Sequence, residues 1–464
     1  MKENKKISIG IIISSGFAFR NYISSNFIDD LKKMGDVILF FPKIYKEKIE
    51  KLEELKNFKK VIFPKFKFPK FFTFFGGILS KATNIRLKIE DKYFKKWYIS
   101  ISKPHIKFFL FFQYKIAKIF SAPKFYETLR RYEESNFKNY VNKNFNGFLS
   151  KNNIDLLISA NPYKIDESVF ICHFKEKIPT IGIIISWDNL LWMGHLIEKP
   201  SYFFLWGEEM EKDLKLHYPN MEEKFIYKVS SPQFDFHIME EYFWEKNKFC
   251  NYIGANSKKK IIFYSANTPD HFYYEPIFVE KLNEILKKEF KEEFQLVLRI
   301  HPHDTSGRFD YLKIKEPEII LQKPFSNMLS QKTYFLTEKE ELALFSNILR
   351  YSEIAINLAS TVTLDAAFFD KPIINIAFSP KEKDKLSYRI PYIHESPHYK
   401  KVVKTGAVDI VFSYEELINS IKKYIKNPEI KRKERKAMIE KICGYNGTLS
   451  KNRTLKAIEE ICKK

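Results

Sequence analysis

Three groups of polar residues, each lying just past an apolar run, hold the side chains of this sequence that could do chemistry. The run Ile354-Ala-Ile-Asn-Leu leads into Ser360 and Thr361, with Asp365 about one helical turn further on. A run apolar on both faces is expected of a central parallel strand, and a Ser-Thr pair after it is a good helix N-cap. Free backbone N–H groups and the helix dipole favour an anion there, so a phosphate at the cap and a sugar hydroxyl at Asp365 would suit a nucleotide-sugar. The same pair caps ordinary helices, and Asp365 would then only complement the dipole. The second group follows Gln295-Leu-Val-Leu: Arg299, His301 and His303 gather around Pro302, and Arg299 and His301 suit phosphate oxygens as charge donors. Two histidines two residues apart can ligate a metal, but no matching third ligand is evident. The third group, Ser186, Trp187, Asp188 and Asn189, follows Ile181-Gly-Ile-Ile-Ile. Asp188 could deprotonate a hydroxyl nucleophile and Trp187 could stack on a ring, or Asp188 and Asn189 simply cap the next helix. His195, in the loop beyond, is a second candidate base.

These groups need strands to carry them, and the sequence alternates strand and helix twice. In the first half, strands are expected at Ile7–Ile13, Val37–Phe41, Val61–Phe63, Ile154–Ser159, Thr180–Ser186 and Tyr202–Trp206, with helices at Asn26–Lys33 and Phe125–Phe148. Periodicity fades over Phe234–Lys260. A second alternation begins at Ile261, passes a helix over Glu275–Phe290 and strands at Gln295–Ile300 and Ile319–Leu321, and ends in a βαβ unit over Glu353–Phe378. Two doubly wound α/β domains are therefore expected, 1–245 and 246–464, the second with a charged helical tail from Tyr414, and with the carboxyl ends of both sheets facing a central cleft. Arg20 and Ser15, in the loop after the first strand, would then lie on the acceptor side with Trp187 and Asn189. That loop lacks G-x-G-x-x-G, which argues against a dinucleotide. No Asp-x-Asp, Walker A, G-x-S-x-G or zinc spacing occurs, so neither a metal nor a cofactor is expected.

The 464 residues carry 45% hydrophobic and 29% charged residues and a net charge of +22, which favours anionic partners. Four cysteines, Cys172, Cys250, Cys443 and Cys462, stand far apart, as expected in a reducing cytoplasm. The charged start followed by Ile7-Ser-Ile-Gly-Ile-Ile-Ile reads as a first strand rather than a signal peptide, and no apolar run is long enough for a transmembrane helix. From Lys59 to Lys124 sixteen Lys or Arg stand against two acids, Glu90 and Asp91, with Phe, Tyr and Trp interleaved throughout. Such an insertion suits the anionic inner face of a cytoplasmic membrane. Ordinary helices with a solvated basic face fit equally, and single-stranded nucleic acid fits less well.

At Ser186-Trp-Asp-Asn-Leu, Phe204-Leu-Trp-Gly-Glu, Val229-Ser-Ser-Pro-Gln-Phe-Asp, Arg299-Ile-His-Pro, Ala359-Ser-Thr, Asp365-Ala-Ala and Lys371-Pro-Ile-Ile, the chain resembles the GT-B glycosyltransferases of bacterial surface polysaccharide synthesis. The broad group akin to the CDP-glycerol glycerophosphotransferases is included. The resemblance covers about 180–378; the first third matches only in fold pattern. It implies metal-independent transfer from a nucleotide-activated donor, held mainly by the second domain, to an acceptor held by the first; for a cell-envelope carbohydrate or lipid-linked acceptor, the residues read above then put the donor at Arg299, His301, Ser360, Thr361 and Asp365 and the base at Asp188 or His195. Such helices often carry Glu where this chain has Asp365, and the shorter arm puts a ribose contact in doubt. A glycerophosphotransferase, a UDP-sugar 2-epimerase and a silent carbohydrate- or membrane-binding scaffold are the alternatives.

Overall fold

Strand formation follows the apolar runs, and every strand pairs in parallel with its neighbours. The computed structural model describes residues 6–89, 104–291, 293–324, 339–381 and 387–463. The first sheet holds β1 (Ile7–Ile12), β2 (Gly35–Pro42), β3 (Lys59–Phe63), β4 (Leu156–Ser159), β5 (Thr180–Ile183), β6 (Tyr202–Leu205) and β7 (Ile226–Lys228), in the order β3-β2-β1-β4-β5-β6-β7. The second holds β8 (Lys260–Ser265), β9 (Phe294–Arg299), β10 (Ile320–Gln322), β11 (Ser352–Asn357), β12 (Ile373–Ile376) and β13 (Asp409–Val411), in the order β10-β9-β8-β11-β12-β13. In both sheets the strand order reverses once, between β1 and β4 and between β8 and β11, and such switch points leave a crevice outside the carboxyl ends of the strands.

Both faces of each sheet are covered, as parallel strands require. Ile262 and Tyr264 pack with Val279, Leu282, Leu417 and Ile421 on one side of the second sheet, while Ile261 and Phe263 join a cluster that runs across both halves through Trp187, Trp206, Phe234 and Tyr399. The βαβ unit expected around β11 and β12 is present, with a short helix at Val362–Phe368 between them. The segment at 234–260, where apolar periodicity fades, nevertheless folds into short helices at Pro232–Asp235 and Lys246–Ile253.

Only the end of the tail departs from the expected grouping with the second half. Its last helix, Ser450–Cys462, puts Ala457, Ile458 and Ile461 into the core of the first sheet. The return is made close against β6: a Cβ on Gly444, at φ +67°, would lie 1.8 Å from the Trp206 carbonyl oxygen, so only glycine passes there. Asp235 then receives the backbone N–H groups of Ser450 and Lys451 at 2.8 and 2.9 Å, satisfying the first donors of the returning helix.

Between β3 and β4 the chain builds helices at Lys70–Arg86, Pro104–Phe120 and Pro123–Leu149. Of the expected basic stretch, Glu90, Asp91, Lys92, Lys95, Lys96 and Lys103 lie outside the described residues. Among the described residues no helix is long and apolar enough to cross a membrane.

Candidate functional site

The carboxyl ends of β5, β8, β9 and β11 open onto one cleft of about 760 Å³. Because β8 lies between β9 and β11, the residues that follow these three strands are brought side by side. Asn267 follows β8, Arg299 ends β9, and Ser360 follows β11; all three line the cleft. Each keeps a buried polar atom without a hydrogen-bond partner among the described residues: Asn267 Nδ2, Arg299 Nη1 and Ser360 Oγ. Two of these atoms can only donate and the third, a hydroxyl, can donate as well, so the unfilled demand is for an acceptor.

The surroundings hold these donors in place. The other arm of the Arg299 guanidinium pairs with Glu341, and the group lies over the Phe345 ring at 5.1 Å. The Asn267 backbone is clamped from both sides, its N–H donated to both Glu275 oxygens at 3.0 Å and its carbonyl accepting from Arg308 Nη2 at 2.6 Å. Burial outweighs the Arg308 charge and lifts the Glu275 carboxyl to about 7. The turn after β11 is fixed by Asn357 Oδ1, which accepts from Ser360 N, Thr363 Oγ1 and Asn375 Nδ2 at 3.1, 3.2 and 3.1 Å. Tyr399 closes this network, with its hydroxyl 2.7 Å from Thr363 Oγ1 and donating to Asn375 Oδ1 at 2.8 Å.

Two expectations are corrected here. Ser360 and Thr361 do not cap the helix with their side chains: Thr361 sits at the N-cap in right-handed conformation without a side-chain cap bond, and its Oγ1 lies 3.3 Å from the indole Nε1 of Trp187, which donates to it. The helix is only seven residues long, so its dipole is weak, and the donors that face the cleft here are side chains instead. His301 is not a charge donor at neutral pH. Burial, reinforced by His303 and His271, lowers it to about 4. Its Nδ1 accepts from the His303 backbone N–H at 3.0 Å, which leaves the ring proton on Nε2 as a neutral donor.

The opposite wall comes mainly from the first half. Trp187 and Asp188 enter the cleft past β5, and Ser186 Oγ donates to Asp188 Oδ1. The Trp187 ring meets His398 edge-on at 5.2 Å. Burial lowers the His398 pKa although the Asp188 charge opposes it. Arg20, buried enough to be lowered to about 10, is supported electrostatically by Asp365 across the cleft. Asp365 in turn is 3.0 Å from His237 Nε2, and His237 Nδ1 is 2.8 Å from Ser346 Oγ, forming a buried chain.

Arg20, Trp187, Asp188, Arg299, His301, Ser360, Thr361 and Asp365 thus line one cleft. Ser15, Asn189 and His195 are not among its lining residues. Ser15 caps the Gly16–Tyr22 helix through Ala18 N at 3.2 Å, and Asn189 begins a short helix. His195 is taken out of the cleft by Glu133, whose Oε2 lies 2.6 Å from its Nε2, with both side chains buried. Asn267, His237 and His398 also line the cleft, and the sequence reading does not pick them out. Asn267 follows a strand, which is a readable signal; His398 carries none, since it reaches Trp187 only through the fold. Among the described residues no group of three or more His, Cys, Asp or Glu is placed to hold a metal ion.

No family model matches the sequence, and no curated protein matches it. Among solved structures, the chain is similar to a Listeria monocytogenes protein designated a UDP-N-acetylglucosamine 2-epimerase, at TM-score 0.53 and 12% identity over 98% of this chain and 96% of that one. A Neisseria meningitidis UDP-GlcNAc 2-epimerase bound to UDP-GlcNAc gives 0.49 at 12% identity over 99% and 100%. The wall teichoic acid polymerase TagF gives 0.48 at 13% identity over 100% and 91%. The likeness to the Listeria protein runs nearly end to end in both chains and is one of fold: an α/β architecture of two parallel sheets flanking a cleft, the arrangement that the resemblance to GT-B enzymes implied.

Proposed function

We propose that the cleft binds a nucleotide-diphosphate donor and that the chain transfers its sugar to a hydroxyl of a cell-envelope acceptor without a metal ion. The observation that carries this reading is the set of unpartnered donors, Asn267 Nδ2, Arg299 Nη1 and Ser360 Oγ, at the switch point of the second sheet. A diphosphate supplies acceptor oxygens to each, and hydrogen bonds to ionised groups are about twice as strong as neutral ones. His301 Nε2–H adds a neutral donor, and Arg20 a cation from the opposite wall. In the transfer, a bond forms between the acceptor oxygen and the anomeric carbon while the bond from that carbon to the diphosphate oxygen breaks. The proton of the acceptor passes to Asp188, and the electron pair leaves on the diphosphate, where the donors above stabilise it. His398, beside Trp187, replaces His195 as the second candidate base.

Isothermal titration with UDP, CDP and GDP tests the donor site. Binding of at least one, weakened when Ser360 and Asn267 are both replaced by apolar residues of similar size, supports it; no binding of any nucleotide overturns it. Assay of nucleotide release then separates reaction classes. Release that depends on an added acceptor is transfer, whereas release without one marks an epimerase acting on the donor sugar itself.

A further inference from the structure

The Pro104–Phe120 helix has two unlike faces. Gln113 and Ala117 are buried, and Ala117 packs into a small core with Ile78, Leu79, Ala82, Tyr126 and Leu129 from the two flanking helices. Among the described residues the outward face has no such cover: Phe108, Phe111, Phe112 and Ile119 are 73, 59, 52 and 64% exposed. These positions recur at three- and four-residue spacing, so they form one stripe along the helix. A stripe of three phenylalanines and an isoleucine is not explained by a solvated helix, which would place polar residues there.

Up to the next helix, the described residues around it carry charge of one sign. Residues 59–89 and 104–126 contain no Asp or Glu, while Lys88, Lys115, Lys118 and Lys124 are exposed along the segment. Lys115 lies over the Phe111 ring at 5.3 Å, within the stripe itself. On the next helix Glu127 and Glu134 are both engaged by Arg130 at 3.2 Å, and Glu133 is buried against His195. The stripe is also joined to the cleft through one helix. Lys70–Arg86 packs against Pro104–Phe120, and its Ser80 Oγ donates to the Met193 carbonyl at 3.3 Å, next to the cleft residue Trp192.

We propose that this face docks the protein on an anionic lipid bilayer, with the phenylalanines inserted among the headgroups and the lysines set against lipid phosphates. Aromatic insertion without acidic residues suits such a surface on both counts. A second copy of the chain would bring lysines against lysines and fits the charge poorly. The inference does not depend on the chemistry in the cleft, since binding to lipid is read without turnover.

Co-sedimentation of the full chain with vesicles of phosphatidylcholine alone, or mixed with phosphatidylglycerol, tests it. Recovery on the anionic vesicles is expected to exceed that on neutral ones roughly tenfold and to weaken, without vanishing, between low and physiological salt. Replacing Phe108, Phe111 and Phe112 together by Ser should remove the salt-resistant part, and Lys115→Gln with Lys118→Gln and Lys124→Gln the salt-sensitive part. Circular dichroism and thermal melting of each variant verify that it is folded. Equal recovery of the folded phenylalanine variant and wild type overturns the proposal. So does absence of binding to anionic vesicles, or sedimentation equilibrium showing a dimer that the phenylalanine variant dissociates.

Discussion

The two sheets reach their switch points with opposite chemistry. In the first, the loops after β1 and β4 converge on Glu167, which is fully buried: Ser14 Oγ donates to one carboxylate oxygen, and Ser159 Oγ and Asn161 N donate to the other at 2.7 and 2.8 Å. The donors of that crevice are consumed internally, and the buried atom left over is an acceptor, Asn161 Oδ1. In the second, the corresponding position offers an amide N–H, a guanidinium N–H and a hydroxyl with nothing among the described residues to receive them. One topology has therefore been used twice, once with its donors taken up by a built-in carboxylate and once with donors left unfilled among the described residues. The difference lies in which residues stand at the strand ends, not in the order of the strands.

The sharpest way to break this comparison is to separate chemistry from donor binding. Asp188→Asn should lower turnover by roughly two to four orders of magnitude, the usual worth of a general base, with nucleoside diphosphate affinity unchanged by calorimetry. If affinity falls in step with turnover, the two walls do not divide the labour. The next largest effect is expected for the second switch point. Arg299→Ala is best combined with Glu341→Gln, so that the buried carboxylate does not lose its counter-charge. Loss of a charged hydrogen bond worth about 1.5–3 kcal/mol should then weaken nucleotide binding roughly ten- to a hundredfold.

Glu167 sharpens the other side. Burial raises its carboxyl to about 7 against an ordinary 4.5, with the hydrogen bonds from Ser14, Ser159 and Asn161 opposing the rise. The folded state thus holds a proton that the unfolded state gives up. The associated stability is fully present below pH 4.5 and is lost as pH rises through about 7, on the order of 3 kcal/mol for a shift of this size. Glu167→Gln should flatten the fall in melting temperature between about pH 5 and 8 while leaving nucleotide affinity within about twofold. A variant that loses nucleotide binding would show that the first crevice is not closed. The smallest expected effect is none: turnover should persist in excess EDTA, because side-chain donors are assigned the role of a metal. Activity lost in EDTA and restored by Mg²⁺ would refute that assignment.

The strand ends are legible in the sequence because the apolar runs before them are long and buried on both faces; Arg299, Ser360 and Asp188 are all found by reading to the end of such a run or a few residues beyond it. The strands β7 and β13 escape such a reading, although β10, equally three residues long, is found from the apolar run Ile319–Leu321. Side-chain partners are less accessible. His195 looks free in the sequence and is claimed by Glu133, 62 positions away. Thr361 looks like a cap and instead meets Trp187 from the other half. His398 enters the site only because tertiary packing sets it against Trp187, and no local spacing encodes that approach. Local pattern thus reports where a strand stops, whereas the protonation state and partner of the next residue are properties of what the whole fold presses against it.

The returning tail has a mechanical meaning. The chain passes between the two sheets once after Asp235 and again between Gly444 and Ser450, and Asp235 ties the second passage to the first through Ser450 N and Lys451 N. Two bodies joined by one strand can swivel freely, but two neighbouring joints act like the paired pins of a door and leave a single easy axis. So fastened, the walls carrying Asp188 and Arg299 are restrained from twisting out of register with each other.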